Sequence, residues 1–245
     1  MISIRDDRGR ELTFTRVPER VVSLVPSDTF TIGELAGYER LVGRTDYCCE
    51  PAGVVEAIAT VGGTKSAKVD AIAALRPDVV IANQEENHRA TLEALAQRGV
   101  PVFVVFPKRV ADGVALIARY AKLLGVEGRP GVRDRIKASY AGLRALEAWR
   151  ATVTPRRTFC PIWLDPLMTI HGSTFISDAL DLCGAQNVFA DRERRYPLAA
   201  DLGERAPIPK DQLIHRDTRY PRMPIEEVVA RDPELTLLPD EPHAF

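Results

Sequence analysis

Two aspartates follow predicted strands, and their carboxyl groups are the ones best suited to acid–base chemistry. Asp28 comes after the apolar run at 20–25, and Asp165 comes after the apolar stretch at 158–163. A carboxyl group at such a position can act as a general acid or base when a substrate lies within hydrogen-bond reach. A two-lobed enzyme that holds a cofactor beside these acids is therefore one hypothesis.

Motifs that would support catalysis or metal binding are absent from the sequence. There is no GxxxxGK[ST] loop, no GxGxxG after a strand and no GxSxG elbow. The VGGT stretch at 61–64 is a turn without the context of a phosphate loop. We therefore expect a protein that is not an enzyme, with no catalytic residue, no metal site and no intrinsic cofactor. The histidines lack the HxxxH spacing of a zinc site: His88, His171, His215 and His243.

A second pair of acids is distinguished by an internal repeat. Residues 69–82 read VDAIAALRPDVVIA and residues 225–238 read IEEVVARDPELTLL, and the two match without gaps in an acid, an apolar stripe, a proline and an apolar run. Asp70 and Glu226 occupy the same place in the two copies. In the first turn of a helix an acid gains about 0.3 to 1 kcal/mol from the helix dipole. A purely structural role for both acids is therefore one interpretation.

Each copy of the repeat predicts a short amphipathic helix followed by a buried strand. Proline cannot continue a helix and disfavours helical geometry in the residue before it, so the helix must end there. The surrounding sequence alternates strands with helices, which is typical of parallel βαβ units. The predicted strands of the first half are 20–25, 41–45, 79–82 and 101–106, and the predicted helices are 29–36, capped by Pro26-Ser27-Asp28, and 87–98.

Two long helical stretches, 110–124 and 130–149, interrupt this alternation. Twenty residues of helix span about 30 Å, enough to cross a small domain. Strand character returns at 158–163, a helix is predicted at 173–183, and the long polar segment 190–223 is of a kind that is usually functional or mobile. We expect an α/β fold of two Rossmann-like lobes with parallel sheets, residues 1–108 and 151–245, joined by a long rigid backbone helix within 109–150.

Composition and charge exclude several classes of protein. A net charge of -1 with 45% hydrophobic residues argues against a nucleic-acid partner. No apolar run approaches the roughly 20 residues needed to span a bilayer. The stretch MISIRDDRGRELTF lacks the apolar core of a signal peptide, which leaves a cytoplasmic location open. We expect the four cysteines to be reduced and structural: Cys48, Cys49, Cys160 and Cys183.

Seven stretches in order resemble the class III substrate-binding proteins of ABC importers, in which a helical backbone joins two lobes and the ligand is cobalamin, haem or an iron–siderophore. No single stretch is diagnostic, but together they cover nearly the whole chain, and the corrinoid-binding branch is the most similar. The stretches are RVVSLVPSDTF at 20–30, LVGRTDYC at 41–48, the first repeat copy, GVPVFVV at 99–105, the central long helix, residues 162–189 and residues 219–238.

This resemblance implies a cleft between the lobes that holds a cobalamin or other corrinoid, or else haem or a ferric siderophore. Flat aromatic rings suit a macrocycle because they bury much area with little loss of rotamer freedom. Tyr196, in a second RYP phrase, is an alternative to Tyr220 as a cleft aromatic, and His171 could reach a metal centre axially. The ligand-binding residues carried over from the family are Pro26, Ser27, Asp28, Tyr47, Asn83, Gln84, Trp163, Asp165, Met168 and Tyr220.

The resemblance also implies a monomer that delivers its chelate to a membrane-embedded ABC permease dimer, in the periplasm or another extracytoplasmic compartment. Asp70 and Glu226 would then dock to arginines of the two permease subunits, because a two-fold partner requires equivalent contacts. The family usually continues for another helix, strand and closing helix, so we expect the second lobe to be truncated. A cytosolic carrier of the same chelate, without a transporter, is a third hypothesis.

Overall fold

The computed structural model describes residues 1–214 and 216–239 and divides into two compact units. The first unit contains residues 1–107 and 114–139, and the second contains 108–113 and the chain from 140 onward. Each unit has its own parallel sheet with helices beside it, as the α/β prediction requires. Among the described residues, no helix combines the length and the apolar character needed to cross a membrane.

The first unit is built on four parallel strands. The strands are buried on both faces, which explains why they read as continuous apolar runs in the sequence. Their order across the sheet is β4–β3–β5–β6. The elements are β1 (Ile2–Arg5), β2 (Glu11–Phe14), β3 (Val21–Ser23), α1 (Pro26–Ala36), β4 (Leu41–Gly43), α2 (Val69–Ala74), β5 (Val79–Asn83), α3 (Arg89–Gln97), β6 (Val102–Val105) and α4 (Val110–Leu123).

Two apolar clusters cover the two faces of this sheet. Alternate residues of β5 and β6 point to opposite faces, as the two-residue period of a strand demands. Val79 and Phe103 pack with α1 and α4 on one face, whereas Val80 and Val104 pack with α2 and α3 on the other. The packing of both faces holds the sheet rigidly. The loops at the carboxyl ends of its strands, where α1 begins and β5 ends, are therefore held in fixed positions.

The amino-terminal stretch forms an antiparallel hairpin, β1–β2, which the sequence analysis did not predict. Asp6 closes the turn, because its carboxylate accepts the backbone N–H of Arg8 at 3.0 Å and of Arg10 at 2.8 Å. Ile4 and Phe14 bury their side chains in the core of the first unit. Of the charged residues in this stretch, Arg5 and Glu11 lie exposed on the paired strands, whereas Asp6 is buried in the turn.

Helix α1 begins three residues before the predicted start, and the prediction that Asp28 caps it was wrong. Val25 is the residue before the helix, and Pro26 is the first helical residue. Proline suits that position because its φ is already helical and it lacks an N–H that would have no partner there. Asp28 therefore lies within the first turn, with its side chain buried in the unit.

The second unit contains a three-stranded parallel sheet in the order β10–β7–β11 and a separate antiparallel hairpin, β8–β9. Helix α5 is continuous, as predicted for 130–149; its residues 130–139 belong to the first unit and the rest to the second. The elements from α5 onward are α5 (Pro130–Arg150), β7 (Arg156–Phe159), β8 (Pro161–Leu164), β9 (Leu167–Thr169), α6 (Phe175–Leu182), β10 (Ala185–Asn187), α7 (Leu198–Asp201), α8 (Ile225–Arg231) and β11 (Leu235–Thr236).

The two repeat copies have the same secondary structure, which confirms the prediction of a helix followed by a strand. The prediction that both strands are buried was wrong for the second copy, because β11 lies at the edge of its sheet and both of its residues are exposed. The first copy is α2 and β5, and the second is α8 and β11. In both copies the residue before the proline adopts a left-handed conformation, with φ of 46° at Arg76 and 44° at Asp232. Proline disfavours helical geometry at that position, so the two helices end within one residue of the same point of the repeat, at Ala74 and at Arg231.

An arginine and an acid join the first copy to the neighbouring strand β3. The Asp78 carboxylate accepts the backbone N–H groups of Glu19 at 2.9 Å and Arg20 at 3.0 Å. The Arg20 guanidinium donates in return to the carbonyls of Leu75 at 2.7 Å and Arg76 at 3.2 Å. The left-handed residue before the proline is therefore held by a side chain of the next strand.

The same arrangement recurs in the second unit. The Glu234 carboxylate accepts the backbone N–H of Arg157 at 2.8 Å, and the Arg157 guanidinium donates to the carbonyls of Arg231 and Asp232. Arg157 thus takes the place of Arg20 at the start of the central strand of its sheet. The likeness of the two units extends beyond the repeated residues to the strand that each copy joins.

Candidate functional site

Asp28 is a buried acid at the start of α1, with only 5% of its surface exposed. The Tyr120 hydroxyl donates to Oδ1 at 2.8 Å, and Oδ2 has no hydrogen-bond partner within the described residues. Burial raises the pKa of this carboxyl from 3.8 to about 6, and the hydrogen bond from Tyr120 opposes that rise. Asp28 can therefore exchange a proton under mildly acidic conditions, but its position does not present it to solvent.

Tyr47 is held on the surface of the first unit by a buried polar cluster beneath its loop. The Cys48 thiol lies 3.1 Å from the hydroxyls of both Thr29 and Thr45, which joins the loop to α1. The Tyr47 ring is 64% exposed and lies over Gly63, where an added Cβ would approach the ring to 3.1 Å. One face of the ring therefore packs over Gly63, and the exposed part of the ring can contact a ligand.

Asn83 ends β5, and its side chain takes part in a local turn. Its Oδ1 accepts the backbone N–H of Glu85 at 2.8 Å, while Asn87 Oδ1 accepts the backbone N–H of Asn83 at 2.8 Å. Asn87, which the sequence analysis missed, is buried and also donates to the carbonyls of Leu24 and Thr64. These bonds fix the loop that follows β5. The other predicted residues of this unit are Pro26, half-buried, with Ser27 and Gln84, both exposed.

Trp163 and Met168 form a cross-strand pair on the β8–β9 hairpin of the second unit. The Trp163 ring is 44% exposed, and its indole N–H donates to the carbonyl of Asp165 at 3.0 Å in the turn of the hairpin. The Asp165 side chain is exposed on that turn, and Met168 is half-buried. The hairpin therefore presents an aromatic ring and a thioether side by side, with an acid at its tip.

The stretch 219–223 runs antiparallel along β9 and brings Tyr220 to the same hairpin. Backbone hydrogen bonds join His171 to Arg219 at 2.8 Å and Thr169 to Pro221 at 3.0 Å. Tyr220 is half-buried, and the Arg219 guanidinium lies 5.4 Å from the centre of its ring. Tyr220 thus joins the cross-strand pair on one small antiparallel layer.

Tyr196, the alternative aromatic, lies in the interior of the second unit. Its hydroxyl donates to the carbonyl of Asp217 at 2.7 Å, and its surface is only 8% exposed. The guanidinium groups of Arg194 and Arg216 lie 4.4 and 4.9 Å from the centre of its ring. Burial therefore favours Tyr220 over Tyr196 as the aromatic that a ligand can reach.

Asp201 organises the long polar segment 190–223, and the sequence analysis missed it. Its Oδ1 accepts Nη1 of Arg192 and the backbone N–H of Arg195, both at 2.9 Å, while Oδ2 accepts the backbone N–H of Arg222 at 2.7 Å. Arg192 and Asp201 are both buried. These bonds hold the two RYP phrases beside each other, and the duplicated phrase was the one sequence signal that pointed to such an arrangement.

Asp70 and Glu226 are both exposed, in the first turns of α2 and α8. Asp70 forms an ion pair with Arg98 of α3, whereas Glu226 has no side-chain hydrogen bond or ion pair among the residues that the structure describes. Exposure is compatible with docking. The ion pair with Arg98 gives Asp70 a structural contact as well.

Within residues 1–214 and 216–239, no group of three or more histidine, cysteine or acidic side chains is placed to hold a metal. The Nδ1 atom of His171 accepts the backbone N–H of Ser173 at 3.0 Å, so a neutral ring carries its proton on Nε2. All four cysteines are free thiols: Cys48 and Cys160 are buried, and Cys49 and Cys183 are exposed.

Comparison with known proteins identifies the family. The model of the family described as "Periplasmic binding protein" matches residues 21–237. The chain belongs to the periplasmic binding protein family. A vitamin B12-binding protein of Yersinia pseudotuberculosis serotype O:3 (strain YPIII) is 30% identical over 198 residues, which are 80% of this chain and 68% of the relative. Its counterpart from Yersinia pestis (strain Pestoides F) is 30% identical over 181 residues, 73% of this chain but only 63% of the relative.

Solved structures share the two-lobed α/β fold. The vitamin B12-binding protein BtuF of Vibrio cholerae has a TM-score of 0.67 at 24% identity, covering 89% of this chain and 75% of that one. The haem-binding protein RhuT of Roseiflexus sp. RS-1 has a TM-score of 0.68 at 20% identity, with the same coverage. CeuE of Helicobacter pylori, with Ni(II) bound, has a TM-score of 0.74 at 16% identity, covering 96% and 71%. These likenesses establish the fold.

Proposed function

We propose that this member of the periplasmic binding protein family captures a metal chelate, with cobalamin or another corrinoid as the first candidate. The observation that carries the proposal is the grouping of Trp163 and Met168 on the β8–β9 hairpin with Tyr220 on the stretch beside it; Trp163 is exposed, and the other two are half-buried. Tyr47 gives the first unit an exposed aromatic of its own. The vitamin B12-binding relatives support the choice of ligand class.

A macrocycle fits these residues better than a small polar solute. A fully buried aromatic side chain covers about 150 to 250 Å², of which only the exposed part of Tyr47 and Trp163 is left to cover a ligand, and the two rings have little rotamer freedom to lose. At about 25 cal/mol per Å² of apolar surface, contact over part of each ring stabilises a complex by several kcal/mol before the costs of association. The Met168 thioether adds a polarizable contact that adapts to the edge of a ring system.

Delivery to an ABC importer completes the proposal. The binder acts as a monomer in an extracytoplasmic compartment, and Asp70 and Glu226 dock to arginines of the two permease subunits. Their exposure and their matched positions in α2 and α8 support this role. A two-fold permease presents the same surface twice, so equivalent acids provide equivalent contacts.

The test is a visible absorption titration of the purified protein with cobalamin, cobinamide, haem and a ferric siderophore. We expect stoichiometric binding of a corrinoid without chemical change. Saturable binding of haem or the siderophore in its place would reassign the ligand, and turnover of any chelate would support the enzyme hypothesis instead. Failure of all four to bind would remove the proposal.

A pair of variants then tests the site itself. Replacing Tyr47 and Trp163 together by alanine should weaken binding by about 1 to 3 kcal/mol, because each ring acts as an aromatic anchor. Trp149→Ala is the matched control: that ring, on α5, is 46% exposed and belongs to none of the predicted sites. Equal losses in the control, or unchanged affinity in the double variant, would exclude both rings from the site.

A further inference from the structure

A cavity of about 520 Å³ lies within the second unit, and none of the proposed chelate-binding residues lines it. Its lining comes from the polar segment at 191–195 and 207–213, from α8 and from His171. The volume is within the range of about 300 to 1,000 Å³ that is usual for small-molecule sites. The cavity therefore has room for an organic molecule.

Every acidic side chain that lines the cavity is paired with a basic one that also lines it. Hydrogen bonds from Arg231 and Lys210 lower the pKa of Asp191 and Glu193 respectively, so these carboxylates are ionised at neutral pH. The pairs are Arg231–Asp191 at 2.5 Å, Lys210–Glu193 at 2.5 Å and Arg192–Glu227 at 3.0 Å. Arg192 also pairs with the buried Asp201 at 2.9 Å, so four carboxylates face three cations in these pairs.

Two further arginines line the same cavity without a carboxylate partner among the described residues. Arg195 is exposed, and its side chain has neither a hydrogen bond nor an ion pair there. Arg194 stacks on Tyr196, and its Nε is buried without a hydrogen-bond partner. Burial and the nearby charge of Arg194 lower the pKa of Arg222, whose Nη1 also lacks a partner. With Arg194 and Arg195 included, five cations line the cavity against four carboxylates that line it or pair with its arginines, so the net charge is positive.

We propose that this cavity binds a small organic oxyanion, a carboxylate or a phosphate ester. Arg194 and Arg195 supply the charge, since guanidinium groups match both anions in geometry and form strong charge-assisted hydrogen bonds. His171 lines the cavity, and its Nε2–H can donate when Nδ1 accepts from Ser173. Ile208 and Leu213 also line the cavity and would provide apolar contacts for the carbon skeleton of such a ligand. The site is independent of the chelate site, so either can fail alone.

Isothermal titration calorimetry at low ionic strength tests this site with inorganic phosphate, citrate and phenyl phosphate. Saturable binding of citrate or phenyl phosphate, tighter than that of inorganic phosphate, is expected for an organic oxyanion site. Preference between the two organic anions distinguishes a carboxylate from a phosphate ester. If neither binds saturably, or if inorganic phosphate binds as tightly as both, the proposal is overturned.

Arg195→Gln is the deciding variant, because its side chain is exposed and has no contact to lose. We expect it to weaken anion binding about tenfold or more, since a hydrogen bond to a charged group contributes roughly 1.5 to 3 kcal/mol. Arg205→Gln, in the same segment but outside the cavity, is the control and should bind as the parent does. Equal affinities in the two variants would assign the binding to the surface in general.

Discussion

The buried carboxyl of Asp28 should make the stability of the protein depend on pH in a direction opposite to that of most acids. Its pKa is about 6 in the folded protein and 3.8 without the fold. Between pH 3.8 and pH 6, therefore, the folded protein keeps a proton on Asp28 that the unfolded chain has lost. The stability from the neutral carboxyl is fully present below about pH 4 and declines as the pH rises towards 6. At 1.36 kcal/mol per pKa unit, the decline amounts to about 3 kcal/mol.

Asp28→Asn isolates this effect, because asparagine keeps an acceptor for the Tyr120 hydroxyl but does not titrate. The free energy of unfolding in urea should be measured for both proteins at intervals from pH 4 to pH 7. The difference between variant and parent removes the titration of all other groups. We expect this difference to change by about 3 kcal/mol in favour of the variant as the pH rises.

A difference that stays constant from pH 4 to pH 7 would refute the reasoning, because it would mean that Asp28 titrates alike in the folded and unfolded chain. Tyr120→Phe provides a directional check. Loss of the Tyr120 hydroxyl removes the hydrogen bond that lowers the pKa of Asp28. The decline in the free energy of unfolding should therefore extend to higher pH. An unchanged profile in this variant would argue against the role of the hydroxyl.

Two other perturbations test the surface acids and the polar segment. Reversing Asp70 and Glu226 to lysine should leave chelate affinity intact and weaken association with the permease. Glu147→Lys is the control and should change neither. If the double variant loses chelate affinity as much as it loses permease association, only the helix-dipole role of the two acids remains. Asp201→Ala should destabilise the protein by about 1 to 3 kcal/mol in urea unfolding, because Arg192 loses the more buried of its two carboxylate partners and keeps only Glu227. A loss below about 1 kcal/mol would show that the segment does not depend on this ion pair.

The parts of the fold that could be predicted are those that local sequence determines. The proline of each repeat copy limits how far the helix can extend, and the apolar run that follows it is a strand in both copies, buried in β5 and exposed in β11. The continuous helical pattern of 130–149 likewise predicted α5. Helix α1 was misjudged because a proline, serine and aspartate can either precede a helix or form its first turn, and Pro26 decided for the second.

The parts that escaped prediction depend on contacts between distant residues. Whether Asp28 faces solvent or the interior depends on Tyr120, which lies 92 residues away. The order within 190–223 depends on backbone N–H groups that reach Asp201 from both RYP phrases, and no periodic pattern encodes such bonds. For the proposed chelate site, the family resemblance assigned Trp163, Met168 and Tyr220 to one cleft, which stays a prediction, and it could not show that Tyr196 is buried.

The hydrogen bonds that join each repeat copy to the central strand of its sheet each close a long loop of the chain, and closing a loop costs entropy. The bond from Arg20 to Asp78 spans 58 positions of sequence, and the bond from Arg157 to Glu234 spans 77. Because closure entropy grows only with the logarithm of loop length, the longer connection costs about 0.3 kcal/mol more. The length of the polar segment therefore adds almost nothing to the entropy of loop closure. Ordering its residues is a separate cost of about 1 to 2 kcal/mol per residue, which buried contacts such as that of Arg192 with Asp201 offset.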